Sequence, residues 1–446
     1  MINFDLLKIL LENTIVEKQK QGYDVTSFYK EIVNLNNSLD ALMALEYRVR
    51  HALYREDWIY VEPDGIDDIM AVCDVNRQKV TRLTLSMEAV KRKIRTGFTA
   101  SICACMLGKP LEEAPYGTLW DIRDAAKAVG EWPIKNYVTE EFLTSWGRRN
   151  PSWVETTRGR IRHVAPDDDI TYTLCGMLLL EKKGCNFDYK DIAKLWVENL
   201  PINTCWGPER TMLLRTGIQS LVPAHLPDYS EWVDSFNPGQ EYCGAVIRAD
   251  AYGYACPGNP ELAVKLAWKD ASFTHKKTGV YASMFIAAVI ALAFEVSTPL
   301  EAIESALQFV PQESRFYFQM KEALGIVRDA ASFDDAYHEL HRKFNEYGAC
   351  RIIQELGTVM NTLRFASDIE AGIGLQVAQG NDTDSFGCIC GAILGVFYGQ
   401  ELPRQWTEPL QNTLHTTMGN FHETDLSVVI ERMASLPQTI EVDKEW

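Results

Sequence analysis

The chain is short of positive charge. Its 44 Lys and Arg face 61 Asp and Glu, a formal net charge of −17 over 446 residues. Phosphate backbones demand a cationic footprint, so bulk charge argues against general nucleic-acid binding, although a local basic patch is compatible with it. C-x-x-C pairs are missing as well. The eleven cysteines (Cys73, Cys103, Cys105, Cys175, Cys185, Cys205, Cys243, Cys256, Cys350, Cys388 and Cys390) are odd in number, scattered, and often set in apolar stretches. That pattern fits buried reduced thiols better than a disulfide framework or a zinc site. The most apolar run, Val280 to Phe294, has fifteen residues. A spanning helix needs about 20, so this one reads as a core helix and no membrane partner is expected. The first residues carry Asp5 and amphipathic spacing in place of a basic region and a small-residue cleavage site, so a cytoplasmic protein is expected. Repeats, low-complexity tracts and Gly/Ser linkers are also lacking.

What the sequence does contain is apolar and helical. Hydrophobic residues make up 46%, enough for a large core and too much for a disordered chain. Apolar spacing near three or four marks residues 2–20, 39–55, 87–107, 170–182, 188–199, 261–272, 281–295, 298–308 and 385–398 as helices. Alternating strand-like runs are scarce, which predicts an all-α fold and excludes a parallel α/β sheet. Pro299 after Ser297-Thr298 suits a first helical turn, and Gly184 and Gly279 fall where helices could end or loops begin. The Gly/Pro-rich stretch from Pro238 to Pro260 predicts a long functional loop. Residues 1–85 lack the motifs found later and read as an N-terminal helical extension or cap on a main domain over 86–446. Within them, the run Trp58-Ile59-Tyr60-Val61-Glu62-Pro63 is explained by packing on the main domain or, more boldly, by stacking on a ligand.

Two acidic motifs stand more than two hundred residues apart, each directly before a helix. The first is APDDDITYTL, with Asp167, Asp168 and Asp169; the second is GNDTDSFGCICGAILGVFYG, with Asp382, Asp384 and Ser385. Asp before a helix can simply cap it. Here, however, the following helices look buried: Gly387, Gly391, Ala392 and Gly395 line one, and Leu174, Met177, Leu178 and Leu179 the other. Buried charges must be paired or metal-bound. A set of five carboxylates and a hydroxyl favours Mg²⁺, Mn²⁺ or Ca²⁺ over zinc, and two ions roughly 3.5–4 Å apart would suit it.

The second motif resembles the C-terminal signature of the ADP-ribosylglycohydrolase family (dinitrogenase-reductase-activating type), a Gly-Gly-Asp-Thr-Asp-Thr run opening a small-residue helix. Asp382, Asp384 and Ser385 fall on its metal ligands, with Ser in the usual Thr place. Asp167-Asp168-Asp169 falls on the family's Thr-Asp-Asp, and the extra carboxylate adds charge. Leu107-Gly108-Lys109-Pro110-Leu111-Glu112 is similar to the family's Leu-Gly-x-Pro-x-Glu, which places Glu112 on the glutamate facing the scissile bond. The segment from Cys243 to Gly253 resembles a substrate loop, with Gly244 and Gly253 matching, Cys243 in place of Asn and Ala251 in place of Pro. Its small residues Gly244 and Ala245 would let backbone N–H groups approach a phosphate or ribose. Arg248 in that loop could bind phosphate or pair with Asp250 or another buried acid. Asp270 to His275 resembles a family stretch ending in Thr-His, which makes His275 a candidate for substrate contact. The resemblance runs from about Lys91 to Gly399, roughly two thirds of the chain.

The resemblance implies a compact orthogonal helical domain over 86–446 with a two-ion Mg²⁺ site, Mn²⁺ being the alternative. It further implies hydrolysis of a ribosyl glycosidic bond, releasing ADP-ribose from an ADP-ribosylated target. Asp167, Asp168, Asp169, Asp382, Asp384 and Ser385 would hold metal. Glu112, Asp168 and Asp384 would be catalytic, and Gly244, Ala245, Gly253 and His275 would bind substrate. Two alternatives stand beside this reading: a hydrolase of a small ribosyl compound such as a nucleoside or nucleotide, and a non-catalytic ADP-ribose-binding regulator.

Overall fold

The computed structural model describes residues 3–78, 83–220, 228–345 and 350–441. The described residues fold mainly as helices, and the only β pairing among them is a handful of isolated bridges. The all-α expectation holds. No described helix is long and apolar enough to cross a membrane.

The run 280–294 becomes the Thr278–Leu292 helix, in which every residue from Thr278 to Ala291 is buried. A helix apolar on all sides can only sit inside a core, and this one lies within a single continuous apolar cluster drawn from most of the chain. The cysteines belong to that interior: all eleven are free thiols, and only Cys350 is not fully buried. Expected punctuation is present too. Thr298 accepts the Glu301 N–H at 3.3 Å ahead of Pro299, and Gly184 ends the Asp168–Lys183 helix.

A seam of small residues sets the geometry of everything that follows. The Met87–Gly108 helix lies antiparallel to the Thr383–Tyr398 helix, with Gly97 against Gly395, Ala100 against Gly391, Ala104 against Gly387 and Gly108 against Thr383. The two backbones touch, because a Cβ built on Gly391 would lie 2.5 Å from the Ala100 carbonyl oxygen. At the end of the seam the Thr383 hydroxyl donates to the Gly108 carbonyl at 2.8 Å.

The Pro238–Pro260 stretch is not the long open loop its composition suggests. It coils into a 3₁₀ helix, Cys243–Arg248, and a short α-helix, Asp250–Ala255, both largely buried. Ala245, Val246, Ile247, Ala249 and Ala251 supply the apolar surface, and helical hydrogen bonds satisfy a backbone that cannot reach water.

The first three helices, Phe4–Lys20, Thr26–Val33 and Leu39–Arg50, enclose a small core of their own built on Leu11, Ile15, Ile32, Leu42, Leu45 and Val49, with Phe236 inserted from the rest of the chain. The segment after them is tied down by ion pairs. Arg315 bonds Glu62 at 3.0 Å and Glu241 at 2.6 Å, and the Val61 N–H donates to the Glu313 carbonyl at 3.0 Å. The Trp58–Pro63 run thus packs on the body of the protein.

The seam yields a test with an internal contrast. Gly391→Ala should lose on the order of 1–2 kcal/mol, because the clash exceeds the gain in helix propensity. Gly325→Ala, in a helix where a Cβ meets nothing within 4 Å, should gain about 0.5–1 kcal/mol. Urea denaturation of the two variants checks both signs.

Candidate metal centre

The two acidic helix starts meet over the turn that ends the Met87–Gly108 helix. They use their first carboxylates differently. Asp167 caps its helix, its Oδ1 accepting the Asp169 N–H at 2.9 Å. Asp382 occupies the same position before Thr383 and caps nothing. Instead its Oδ2 receives the Cys243 thiol at 3.3 Å, while its Oδ1 is buried with no partner among the described residues. Asp382 is held through its own N–H, which donates to Glu355 Oε1 at 2.9 Å. Capping therefore accounts for one motif and leaves the other unexplained.

Carboxylate oxygens of Asp167, Asp169 and Asp384 lie within 4.8 Å of one another, and so do those of Glu112, Asp382 and Asp384. Asp384 belongs to both groups. Asp168 belongs to neither and is half-buried at the helix start, and Ser385 is buried beside Asp384. Glu112 reaches this place because Pro110 turns the chain through a 3₁₀ helix, Lys109–Leu111, immediately after Gly108. The same turn delivers Lys109, whose ammonium pairs with Asp167.

The electrostatics of this cluster are unbalanced. Lys109 is the one basic side chain paired to these acids among the described residues. Burial, then the charges of Asp382, Asp167 and Asp168, pushes the Glu112 carboxyl up to about 8. Burial and Asp167 push Asp168 up to about 8 as well. Asp169 and Asp384 are raised well above the usual carboxylate range, burial being the main cause, followed by Asp167 for the first and Glu112 for the second. Asp169 Oδ1, like Asp382 Oδ1, is buried without a partner among the described residues. Crowded carboxylates with orphaned oxygens fit hard divalent cations. The Cys105 and Cys388 thiols stand behind Asp169, within 4.8 Å of one of its oxygens, and are soft donors that hard cations do not select. Cys105 is held protonated by its hydrogen bond to Cys388 and by burial, and burial pushes Cys388 up to about 12.

The other expected site residues divide. Gly244 is half-buried next to Cys243, with the Glu209 carboxylate filling the space a side chain would need. Ala245 has no exposed surface, and Gly253 is buried against Ile290. His275 is also fully buried, its Nδ1 2.6 Å from the Thr274 hydroxyl and 3.5 Å from Glu209; burial and the Arg248 charge hold it well below its usual pKa. Arg248 pairs with Glu209 and Asp270, and Asp250 instead accepts the Thr173 hydroxyl at 2.7 Å. Arg248 and His275 thus form a buried scaffold under the Gly244 turn.

Two contributors escaped sequence reasoning. Glu355, buried in the Ile352–Phe365 helix, sits in no acidic motif. Lys109 stands in plain view inside Leu-Gly-Lys-Pro, and its charge three residues before Glu112 is the available signal.

A family model described as ADP-ribosylglycohydrolase matches residues 86–440. No curated protein matches the chain significantly. A solved structure described as an ADP-ribosylglycohydrolase-related protein complex is 18% identical, with a TM-score of 0.48, covering 79% of this chain and 99% of that one. The family match takes in well over half of the residues and both acidic helix starts, and on that ground the chain belongs to the ADP-ribosylglycohydrolase family, a family of glycosidic hydrolases.

Proposed function

We propose that this protein is a divalent-metal-dependent hydrolase that cleaves the ribosyl bond of an ADP-ribosylated target and releases ADP-ribose. The observation that carries the reading is the sharing of Asp384 between two groups of three acids, beside buried carboxylate oxygens that no group among the described residues satisfies. Asp167, Asp169 and Asp384 would hold one Mg²⁺ or Mn²⁺, and Asp382, Asp384 and Glu112 border a second position, with Asp168 and Ser385 completing the shells. Bound there, divalent ions supply the positive charge that attracts ribose hydroxyls and acidifies a water.

The chain's own groups do the rest. Glu112, on the turn at the edge of the cluster, orients the attacking water and takes its proton as the oxygen joins the anomeric carbon. The bond from that carbon to the aglycone breaks, and its electron pair leaves with the aglycone heteroatom. Positive charge develops on the ribosyl ring in the transition state, and the surrounding carboxylates face it. The Gly244 backbone, propped from behind by Ala245, Gly253 and the Arg248–His275 scaffold, offers N–H groups to ribose or phosphate.

The reading links stability to pH with a definite sign. Glu112 and Asp168 are raised to about 8 in the folded chain, against about 4 when unfolded. Protons therefore favour the fold; their contribution is complete below about pH 4 and is lost as pH climbs through about 8. In chelator the melting temperature should fall from about pH 6 to about pH 9, and Mg²⁺ should restore it most at the alkaline end. A flat profile, or Mg²⁺ stabilisation strongest in acid, would contradict the assignment.

Activity supplies the second test. Asp384→Asn should lose Mg²⁺-dependent stabilisation and turnover together. Glu112→Gln should lose roughly 10²–10⁴-fold in turnover while Mg²⁺ still stabilises the protein. The assay follows ADP-ribosyl-arginine, ADP-ribosyl-serine and simple nucleosides side by side. Turnover by Asp384→Asn in chelator would sink the metal mechanism. Turnover of nucleosides alone would hand the site to a small-molecule N-glycosidase.

A further inference from the structure

Ten of the eleven cysteines are buried, and the exception is Cys350, half-buried just before the Ile352–Phe365 helix. It does not stand alone. Tyr242 and Arg351 form an isolated antiparallel bridge, and the next residues on the two segments are Cys243 and Cys350. In a regular antiparallel pair such residues face each other, with Cα atoms about 4.5–5.5 Å apart. The bridge is clamped by its own side chains, because the Arg351 guanidinium lies 4.2 Å over the Tyr242 ring and donates to its hydroxyl at 3.1 Å. The register carries through to the sulfurs: the Cys243 and Cys350 thiols are within hydrogen-bond reach of each other. Disulfides span Cα separations of about 4.4–6.8 Å, so this pair can be joined with little backbone movement.

The Cys243 thiol has a second neighbour. It donates to Asp382 Oδ2 at 3.3 Å, the one hydrogen bond that the Asp382 carboxylate accepts among the described residues. A disulfide has no S–H to donate. Closing the pair therefore takes that bond from Asp382 and draws the Cys243 sulfur away from the acidic cluster. The Cys105–Cys388 pair supplies a contrast. Those thiols also hydrogen-bond, but both are buried on the two helices whose backbones touch along the seam. A reagent in solution meets Cys350 and does not meet them.

We propose that Cys243 and Cys350 are a redox modification site, closed to a disulfide by exchange with a small disulfide of the glutathione type. Cys350, the accessible thiol, attacks one sulfur of the reagent, which forms a mixed disulfide and releases one small thiol. Cys243 then attacks the Cys350 sulfur. The protein S–S bond forms, the mixed disulfide breaks, and a second small thiol leaves. Two protein thiols are oxidised, one small disulfide is reduced to two thiols, and the two protein protons end on them. The modification itself is independent of the hydrolase reading; its control of metal binding, through Asp382, rests on that reading.

The test treats the native full chain with oxidised glutathione in chelator, blocks the remaining thiols, and maps peptides by mass spectrometry before and after dithiothreitol. This map needs neither metal nor turnover. A Cys243–Cys350 crosslink should form first among the eleven cysteines, vanish on reduction, and be absent from Cys243→Ser and Cys350→Ser; the parent map stands whether or not these variants fold. Mn²⁺ titration then compares the oxidised and reduced chains. Oxidation should weaken binding about three- to tenfold, the worth of one hydrogen bond, and Cys350→Ser should bind alike with and without the oxidant. No crosslink, a glutathione adduct on Cys350 that Cys243 does not resolve, or earlier crosslinking of Cys105 to Cys388 overturns the proposal. A mapped crosslink that leaves Mn²⁺ binding unchanged overturns the control of the cluster.

Discussion

Backbone-to-backbone contact between the Met87–Gly108 and Thr383–Tyr398 helices is the constraint on which the site depends. Glycine and alanine recur every three or four residues on both helices, so the backbones can touch along the seam, and a slip by one or two residues would drive a larger side chain into a facing carbonyl. That register brings the start of one helix to the end of the other. Asp382 and Asp384 therefore meet the Lys109–Glu112 turn, and the Asp168–Lys183 helix completes the cluster from a third direction. A cluster assembled from parts of the chain so far apart needs rigid elements of this kind, because its geometry is lost if any one of them shifts.

The same rigidity makes the acids costly. Buried carboxylates repel one another, and one lysine cannot neutralise the set. The fold answers in two ways. Raised pKa values let several acids hold protons when no cation is present, and hydrogen bonds from Cys243 and to Glu355 fix Asp382 without neutralising it. What remains is a place whose charge divalent ions would balance, and on the proposed function an anionic substrate would approach it only once that balance is made. The arginine scaffold under the Gly244 turn follows the opposite rule: Arg248 is fully paired with Glu209 and Asp270, so it is structural and leaves no charge for a ligand.

Much of this was legible before any coordinates. Helices over 87–107, 170–182 and 385–398 announce themselves by apolar spacing, and the structure extends each by only one or two residues at an end. Spacing also put Asp167 and Asp382 at helix starts. It could not say that one caps and the other does not, because that depends on a thiol and a glutamate brought in from distant segments. Glu355 was invisible for the same reason: an acid in a helix normally faces solvent, and only tertiary packing buries this one. Composition misled at Pro238–Pro260, where glycines and prolines suggested an open loop and alternating small apolar residues built buried helical turns instead. Helices such as Arg315–Asp329 and Ile369–Ala378 gave weaker sequence signals, since charge interrupts the first and small residues cover every face of the second.

The central claim is that acids from three segments converge to hold divalent ions. Titration of the full chain with Mn²⁺ at about pH 8, read by electron paramagnetic resonance, tests it most directly. The account predicts saturable binding of up to two ions per chain, displaced by Mg²⁺ and lost when the shared Asp384 is changed to Asn. Absence of saturable binding, or binding indifferent to Asp384, would contradict it.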